Sequence, residues 1–161
     1  FIELASSPFS SIRLFQNRYF HSRLIILKKL KRMNVNLSDI KVSISHNKYS
    51  FIALVSKKNM KISVDHEPIG RYISNSLNSK ISKLNKPDSL SSLGFINILE
   101  TLVKIKNKKW SSLLDNFEIK NIVGSPNVYV INFCKETIYS KFYSYNDNQI
   151  CISSNKLEIL E

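Results

Sequence analysis

The segment VSISHNKYSFIALVSKKNMKISVDHE, residues 42–67, decides the fold of this chain. It contains three runs with the side-chain pattern of β-strands, separated by polar turns. Residues 42–45 and 61–67 alternate apolar and polar side chains, and residues 51–57 are mostly apolar. Because successive side chains of a strand point to opposite faces, such alternation indicates strands with one buried face. The segment therefore predicts three short consecutive strands.

Helical spacing is found on both sides of this segment. Residues 15–34 carry apolar side chains at steps of three to five positions, with basic residues between them: Phe15, Phe20, Leu24, Leu27 and Leu30. In residues 93–106, the stripe expected to be buried contains Phe95, Leu99 and Leu102. Apolar side chains at these intervals share one face of a helix, so two amphipathic helices are predicted.

The stretch after the third strand has less regular patterns. Pro68 is expected to end that strand, or to begin a helix that continues through Ile73. Residues 74–92 are rich in Ser, Asn and Lys, which predicts a mobile loop or a weak helix. Later strands are predicted at residues 117–123, 128–134, 138–145 and 149–153, with a hairpin turn at residues 146–148.

The order of these elements predicts an α+β fold. A helix followed by antiparallel strands occurs once in each half of the chain. We therefore expect two similar lobes, each a helix packed on a small antiparallel sheet, arranged as a pseudo-twofold monomer. The predicted lobes are residues 1–75, with the Ser-His and Asp-x-Glu motifs, and residues 76–161, with a Glu-x-x-x-Lys helix and strands.

Composition limits the classes of protein to which the chain can belong. Its 161 residues are 43% hydrophobic, enough for an ordinary core that needs no disulfide framework. The two cysteines, Cys134 and Cys151, lack zinc-site spacing and suit a reducing compartment. The chain opens without a basic and apolar leader, and no apolar run approaches the roughly 18 residues needed to span a bilayer. We expect a soluble cytoplasmic protein that does not enter the membrane.

The charge of the chain is strongly positive. Lys and Arg number 24 against 12 Asp and Glu, which gives a formal net charge of +12. A surface of this kind attracts polyanions, which include nucleic acids, phosphorylated cofactors, anionic lipids and acidic proteins. Charge alone does not choose among these partners.

Three short motifs carry candidate chemistry. Asp65 and Glu67 are two apart on a predicted strand, so both carboxylates leave the same face and would suit Mg²⁺ or Mn²⁺. Glu100 and Lys104 are four apart on a predicted helix, the spacing of an ordinary surface ion pair as well as of a functional pair. Ser45-His46 stands at the end of the first predicted strand.

The order of these motifs resembles the signature of 4′-phosphopantetheinyl transferases, specifically the longer, monomeric surfactin-synthetase-activating type. Residues 42–46, 51–55 and 62–67 are similar to that family's Ser-His strand, apolar strand and Asp-x-Glu strand. The helix with Glu100 and Lys104 is similar to its Glu-x-x-x-Lys helix. The resemblance covers roughly residues 15–155.

The resemblance implies roles for the acidic residues and the lysine. Asp65, Glu67 and Glu100 would hold Mg²⁺ or Mn²⁺ against the diphosphate of coenzyme A. Glu100 would also act as the general base that removes a proton from a carrier-protein serine. Lys104 would contact the phosphate and stabilise charge on the leaving group. The implied activity is transfer of 4′-phosphopantetheine from coenzyme A to that serine, with release of 3′,5′-ADP.

The resemblance also implies the binding residues and the partners. His46 would bind a phosphate of coenzyme A, and Arg18 or Arg23 would contact its adenosine end. The second substrate would be an acidic acyl or peptidyl carrier protein, which the net positive charge would attract. No nucleic acid or membrane partner is expected, and two similar halves in one chain favour a monomer.

Two alternatives stay open at this stage. The helix around Glu100 differs from the family pattern, with Ile96 and Leu99 where Trp and Lys are usual. A non-catalytic member of the same fold that binds a carrier protein or coenzyme A would explain that difference. A basic nucleic-acid-binding domain would explain the charge and the aromatic residues among the strands, although no groove-reading motif supports it.

Overall fold

A computed structural model of the chain describes residues 4–8, 18–48, 50–84, 86–110, 117–122, 125, 127–133 and 135–160. Within these ranges the fold is α+β, as the sequence predicts, with three α-helices and two antiparallel sheets. The elements in chain order are β1 (Leu4–Pro8), α1 (Arg18–Arg32), β2 (Ile40–His46), β3 (Ser50–Lys57), β4 (Ile62–Pro68), α2 (Asn75–Ser82), α3 (Ser92–Lys106), β5 (Phe117–Asn121), β6 (Val128–Phe133), β7 (Glu136–Tyr145) and β8 (Asn148–Ser154).

Strand β4 lies where the two sheets meet. The first sheet has the order β1-β3-β2, and the second has the order β4-β8-β7-β6-β5. β4 follows β3 in the chain but pairs with β8, with Asp65 opposite Cys151. The sheets therefore divide between β3 and β4. The predicted lobes, residues 1–75 and 76–161, stay a prediction.

Four layers follow from the way the apolar side chains cluster. Ile26 and Leu30 of α1 pack on one face of the first sheet, against Phe51. The opposite face of that sheet packs on the second sheet, where Leu54 and Val64 belong to one buried cluster. Helix α3 covers the far face of the second sheet through a third cluster that includes Phe95, Leu99, Ile131 and Ile138. Burying each such side chain contributes roughly 1.5–3 kcal/mol, so this packing holds β4 and α3 together.

Helix α3 has clear signals at both ends. The hydroxyl of Ser91 accepts a hydrogen bond from the backbone N–H of Gly94 at 3.0 Å, which caps the start of the helix. Asn107 ends the helix in the left-handed conformation, with φ of 51°. The predicted buried stripe is confirmed, since Phe95, Leu99 and Leu102 are all fully buried.

The prediction of a helix from Pro68 through Ile73 is wrong, whereas the strand end at Pro68 is confirmed. The backbone N–H of Ile69 donates to Asp147 O, and that of Arg71 donates to Pro68 O, which holds the chain in a turn. Helix α2 begins only at Asn75, where the hydroxyl of Ser74 accepts from Leu77 N–H. Of the two structures predicted for residues 74–92, the short helix is present.

Other predictions agree with the described residues. The hairpin turn between β7 and β8 is confirmed, with Asn146 and Asp147 at φ of 45° and 58°, the left-handed region that such turns use. Cys151 is a buried free thiol, and burial raises its pKa to about 12. Cys134 lies outside the described residues. None of the described helices has the length and apolar character needed to cross a membrane.

Candidate active site between β4 and α3

A lysine of α3 contacts the edge of β4 directly. Lys104 Nζ donates to Asp65 Oδ1 at 2.9 Å and to the carbonyl oxygen of Val64 at 2.8 Å. The pair is enclosed, because the Asp65 side chain is 6% exposed and that of Lys104 is 28% exposed. The structure thus brings together two residues that the sequence placed in separate motifs.

The backbone of α3 is fixed to the second sheet by buried hydroxyl groups. Ser63 Oγ donates to the carbonyl oxygen of Thr101 at 2.8 Å. The Thr101 hydroxyl lies 2.6 Å from that of Ser153, which lies 2.6 Å from that of Ser140. Because buried hydroxyl groups are costly without partners, this chain of bonds favours one position of α3 on the sheet. The same hydrogen bonds therefore fix the positions of Glu100 and Lys104, which lie on α3.

Two serines of β2 bind the open edge of β4. Ser43 Oγ accepts from the backbone N–H of Val64, and Ser45 Oγ accepts from that of His66, both at 3.1 Å. Ser45 Oγ also donates to Asp65 Oδ1 at 2.7 Å. The edge of β4 therefore receives side-chain hydroxyl groups where another strand would supply carbonyl groups.

The two oxygens of Asp65 have different surroundings. Oδ1 accepts from both Ser45 and Lys104, whereas Oδ2 is buried and has no hydrogen-bond partner among the described residues. A buried carboxylate oxygen without a donor is costly in free energy. It is therefore a candidate ligand for a cation.

Glu67 and Glu100 complete a group of three acidic residues. The pKa of Glu67 is raised to about 7, mainly by burial and also by the charges of Asp65 and Glu100, against the lowering effect of Arg71. Burial and the charge of Asp65 also raise the pKa of Glu100, while Lys104 and a hydrogen bond from Trp110 oppose the increase. The three carboxylates thus lie close enough to repel one another, and positive charge near them would be stabilising.

Positive side chains already lie against these carboxylates. Arg71, in the turn after β4, forms an ion pair with Glu67, and Lys104 forms one with Asp65. Among the residues that the structure describes, no group of three or more Asp, Glu, His or Cys side chains is placed to hold one metal ion. The donor types are those that Mg²⁺ prefers.

His66 is on the other face of β4, as expected for the residue between Asp65 and Glu67. It is fully buried, and its Nε2 lies 3.1 Å from Ser50 Oγ. Burial lowers the pKa of His66 to about 4, so the ring is neutral at physiological pH. His66 is therefore a core residue of the sheet junction.

The predicted coenzyme A residues lie on a different side of β2. His46 Nε2 is 2.7 Å from the hydroxyl of Ser22, which is buried on α1. Arg23 is exposed on the same helix, next to Ser22. The side chain of Arg18 lies outside what the structure describes. The structure therefore groups Asp65, Glu67, Glu100 and Lys104, and it places His46 and Arg23 at the α1 side.

Sequence reasoning missed several contacts of this site. Arg71 and Trp110 were given no role, and Ser22 was not connected with His46. The spacing of Arg71, four residues after Glu67, was the one available signal, but that rule applies to helices and these residues are in a strand and a turn. No sequence pattern indicated the contacts of Ser22 and Trp110, because these contacts depend on tertiary packing.

Comparison with known proteins leaves the function to be argued from these residues. No protein-family model matches the chain, and no curated protein matches it. The functional argument is therefore built on the group of Asp65, Glu67, Glu100 and Lys104, together with the adjacent α1 side of β2.

Proposed function

We propose that this chain is a 4′-phosphopantetheinyl transferase, which moves phosphopantetheine from coenzyme A to a serine of an apo carrier protein. The observation that carries the proposal is the contact of Lys104 with Asp65. Glu100 lies close enough to raise the pKa of Glu67, and Asp65 lies close enough to raise the pKa of Glu100. These four residues are the ones that the resemblance assigns to metal and phosphate chemistry. They come from a strand and a helix far apart in the sequence.

The acidic group fits a divalent metal by its chemistry. Asp65, Glu67 and Glu100 supply hard oxygen donors, and Asp65 Oδ2 has no hydrogen-bond partner among the residues that the structure describes. These residues would hold Mg²⁺ or Mn²⁺, which supplies charge neutralisation for a diphosphate when bound. In the structure Lys104 and Arg71 provide part of that positive charge.

The remaining chemistry falls to side chains of α3. Glu100 takes the proton of the carrier-protein serine, and the raised pKa of Glu100 makes its carboxylate a stronger base. The serine oxygen forms a bond to the phosphorus that carries pantetheine, and the bond from that phosphorus to the oxygen of 3′,5′-ADP breaks. The leaving oxygen keeps the electron pair. The ammonium group of Lys104 offsets this developing negative charge.

Coenzyme A would extend from this site toward α1. His46 would contact one of its phosphates, and Arg18 or Arg23 would contact its adenosine end. The hydrogen bond with Ser22 fixes the His46 ring against α1. Arginine and histidine side chains suit phosphate because their hydrogen bonds to it are charge-assisted.

The proposal includes the finer features of the fold and the partner. The pairing of α1 with the first sheet and of α3 with the second supports two related lobes in a pseudo-twofold monomer. The net charge of +12 favours an acidic acyl or peptidyl carrier protein as the second substrate. Such a reaction would take place in the cytoplasm.

Intact-protein mass spectrometry tests the proposal. The protein is incubated with coenzyme A, Mg²⁺ and apo forms of fatty-acid, polyketide and peptide-synthetase carrier proteins. We expect one carrier to gain the mass of phosphopantetheine, and the gain to disappear in Asp65→Ala. The exposed Asp88→Ala variant serves as the matched control and should keep full activity. If no carrier is modified, or if Asp65→Ala remains active, the proposal is wrong.

A second candidate is a non-catalytic protein of the same fold that binds a carrier protein or coenzyme A. The ion pairs of Arg71 with Glu67 and of Lys104 with Asp65 favour it, because they can balance the carboxylates without a metal. Calorimetry separates the candidates. Carrier binding that needs neither Mg²⁺ nor Glu100, with no mass gain, supports the second.

A further inference from the structure

The hydroxyl group of Ser45 both accepts and donates a hydrogen bond. Its oxygen accepts the backbone N–H of His66 at 3.1 Å, so its hydrogen is directed elsewhere. That hydrogen goes to Asp65 Oδ1 at 2.7 Å. Ser45 is also buried, at 4% exposure, so water does not compete for either bond. The hydroxyl therefore has a fixed direction with respect to the Asp65 carboxylate.

The consequence for Asp65 is a fixed rotation of its side chain. Ser45 and Lys104 approach Oδ1 from β2 and α3, which holds that oxygen from two elements. Oδ2 then lies on the other side of the carboxylate, where it is buried and receives no hydrogen bond from the described part of the chain. Without Ser45, Lys104 alone would hold the group, and its long side chain restricts rotation less.

We infer that Ser45 is the positioning residue of the metal ligand Asp65, and that it directs Asp65 Oδ2 toward the bound cation. The inference rests on the proposed function for the identity of the cation as Mg²⁺ or Mn²⁺. Residues that hydrogen-bond a metal ligand orient it, and their loss weakens metal affinity without removing a ligand. This role differs from phosphate binding, in which the hydroxyl would point away from Asp65.

The chain contains a matched control for this role. Ser43, two residues earlier on β2, accepts the backbone N–H of Val64 at 3.1 Å, as Ser45 accepts that of His66. The two serines thus have the same contact with the edge of β4. Among the described residues, Ser45 donates a hydrogen bond to the Asp65 carboxylate and Ser43 does not. A comparison of the two alanine variants separates support of the strand from orientation of the ligand.

Titration with Mn²⁺ alone, followed by electron paramagnetic resonance, measures metal binding without turnover. We expect Ser45→Ala to weaken Mn²⁺ binding about 10–100-fold, and Ser43→Ala to leave the affinity unchanged. Both variants leave one backbone N–H of β4 without an acceptor, so their melting temperatures should fall by similar amounts. Equal Mn²⁺ affinities in wild type and Ser45→Ala, or equal losses in the two variants, would overturn the inference.

A second variant covers the case in which Ser45→Ala does not fold. Ser45→Cys keeps the shape of the side chain but replaces the hydroxyl with a weak donor, so Mn²⁺ binding should again weaken. Unchanged affinity in Ser45→Cys contradicts the inference. Carrier modification by the wild type is scored separately. A wild type that modifies a carrier while the serine variants bind Mn²⁺ equally leaves the proposed function standing and removes only the role of Ser45.

Discussion

The two sides of strand β4 are equally buried, but burial stabilises the fold on one side and costs free energy on the other. Toward β3, Ile62 and Val64 join an apolar cluster between the two sheets, and both are at most 1% exposed. Toward α3, Ser63 and Asp65 are also at most 4% exposed. Burial on the first side removes apolar surface from water and stabilises the fold. Burial on the second side removes charge from water, which costs stability unless partners compensate.

This difference between the two sides of β4 indicates that the functional residues lie on the α3 side. The raised pKa values of Glu67 and Glu100 show that the α3 side disfavours its own negative charges. Ser45, Lys104 and Arg71 offset part of that cost through hydrogen bonds and ion pairs. A strand that only needed to be stable would have apolar side chains on both sides. The buried carboxylates are therefore the feature on which the proposal of a bound cation and a phosphate substrate is based.

The largest expected effect is on the α3 side, in Glu100→Gln. We predict that carrier modification slows about 10²–10⁴-fold, the usual contribution of a general base. Stability at neutral pH should be unchanged or higher. The pKa of Glu100 is raised in the folded state, so ionisation weakens the fold as pH rises, and Gln cannot ionise.

Kinetics by mass spectrometry and thermal melting measure the two effects of Glu100→Gln. The control is Glu118→Gln, an exposed residue of β5, which should leave the rate unchanged. A Glu100→Gln variant that melts much earlier than wild type would show that Glu100 stabilises the fold. The contrast between the two sides of β4 would then fail.

The opposite outcome is expected on the apolar side, in Ile62→Ala. Removing this fully buried side chain should lower the free energy of unfolding by about 2–5 kcal/mol, through lost transfer energy and a cavity. Activity per folded molecule should be unchanged. Urea unfolding measures the loss. Ile69→Ala, at a residue 56% exposed, is the control and should stay within about 0.5 kcal/mol of wild type.

The smallest expected effect concerns the pH dependence of stability at His66, a titratable residue on the apolar side of β4. Its pKa is lowered from 6.5 to about 4 by burial, so the unfolded chain binds a proton more readily than the folded one. Stability from neutral His66 is therefore complete above pH 6.5 and is lost as pH falls toward 4. The loss is about 3 kcal/mol.

Unfolding of the metal-free protein between pH 4 and 7 measures the contribution of His66. His66→Gln should remove this loss, and the exposed His21→Gln should not. Glu67 acts in the opposite direction, because its pKa is raised to about 7 and protonation favours its folded form. The difference in unfolding free energy between each variant and the wild type gives the contribution of one residue. If His66→Gln and wild type show parallel pH profiles, His66 is not a neutral core residue.

Sequence periodicity predicted the local elements because it depends on residues close together in the chain. Alternation at residues 61–67 gave β4 and placed Asp65 and Glu67 on one face, and helical spacing gave α3. Periodicity does not identify the strand that pairs with β4, since Asp65 lies opposite Cys151 near the other end of the chain. The helix predicted after Pro68 failed for the same reason, because the bond from Ile69 to Asp147 is long-range.

The candidate site was predictable in its charged residues and not in their partners. Spacing suggested that Lys104 pairs with Glu100, whereas its ammonium group bonds Asp65 and Val64 O. That choice depends on the distance between α3 and β4, which the hydrogen bond from the Ser63 hydroxyl to the carbonyl oxygen of Thr101 helps to set. Ser and Thr are too common at the surface for a sequence to indicate such contacts.

The hydroxyl contacts of Ser43 and Ser45 also affect the hydrogen bonds that the edge of β4 could make to another strand. β4 is an edge strand of its sheet, and unpaired N–H groups at an edge invite other chains to add strands and aggregate. Here the N–H groups of Val64 and His66 are already bound by β2 serines. At the opposite edge, β5 presents Glu118 and Lys120, whose charges discourage pairing. The serines that shape the candidate site therefore also occupy the edge N–H groups that an added strand would use.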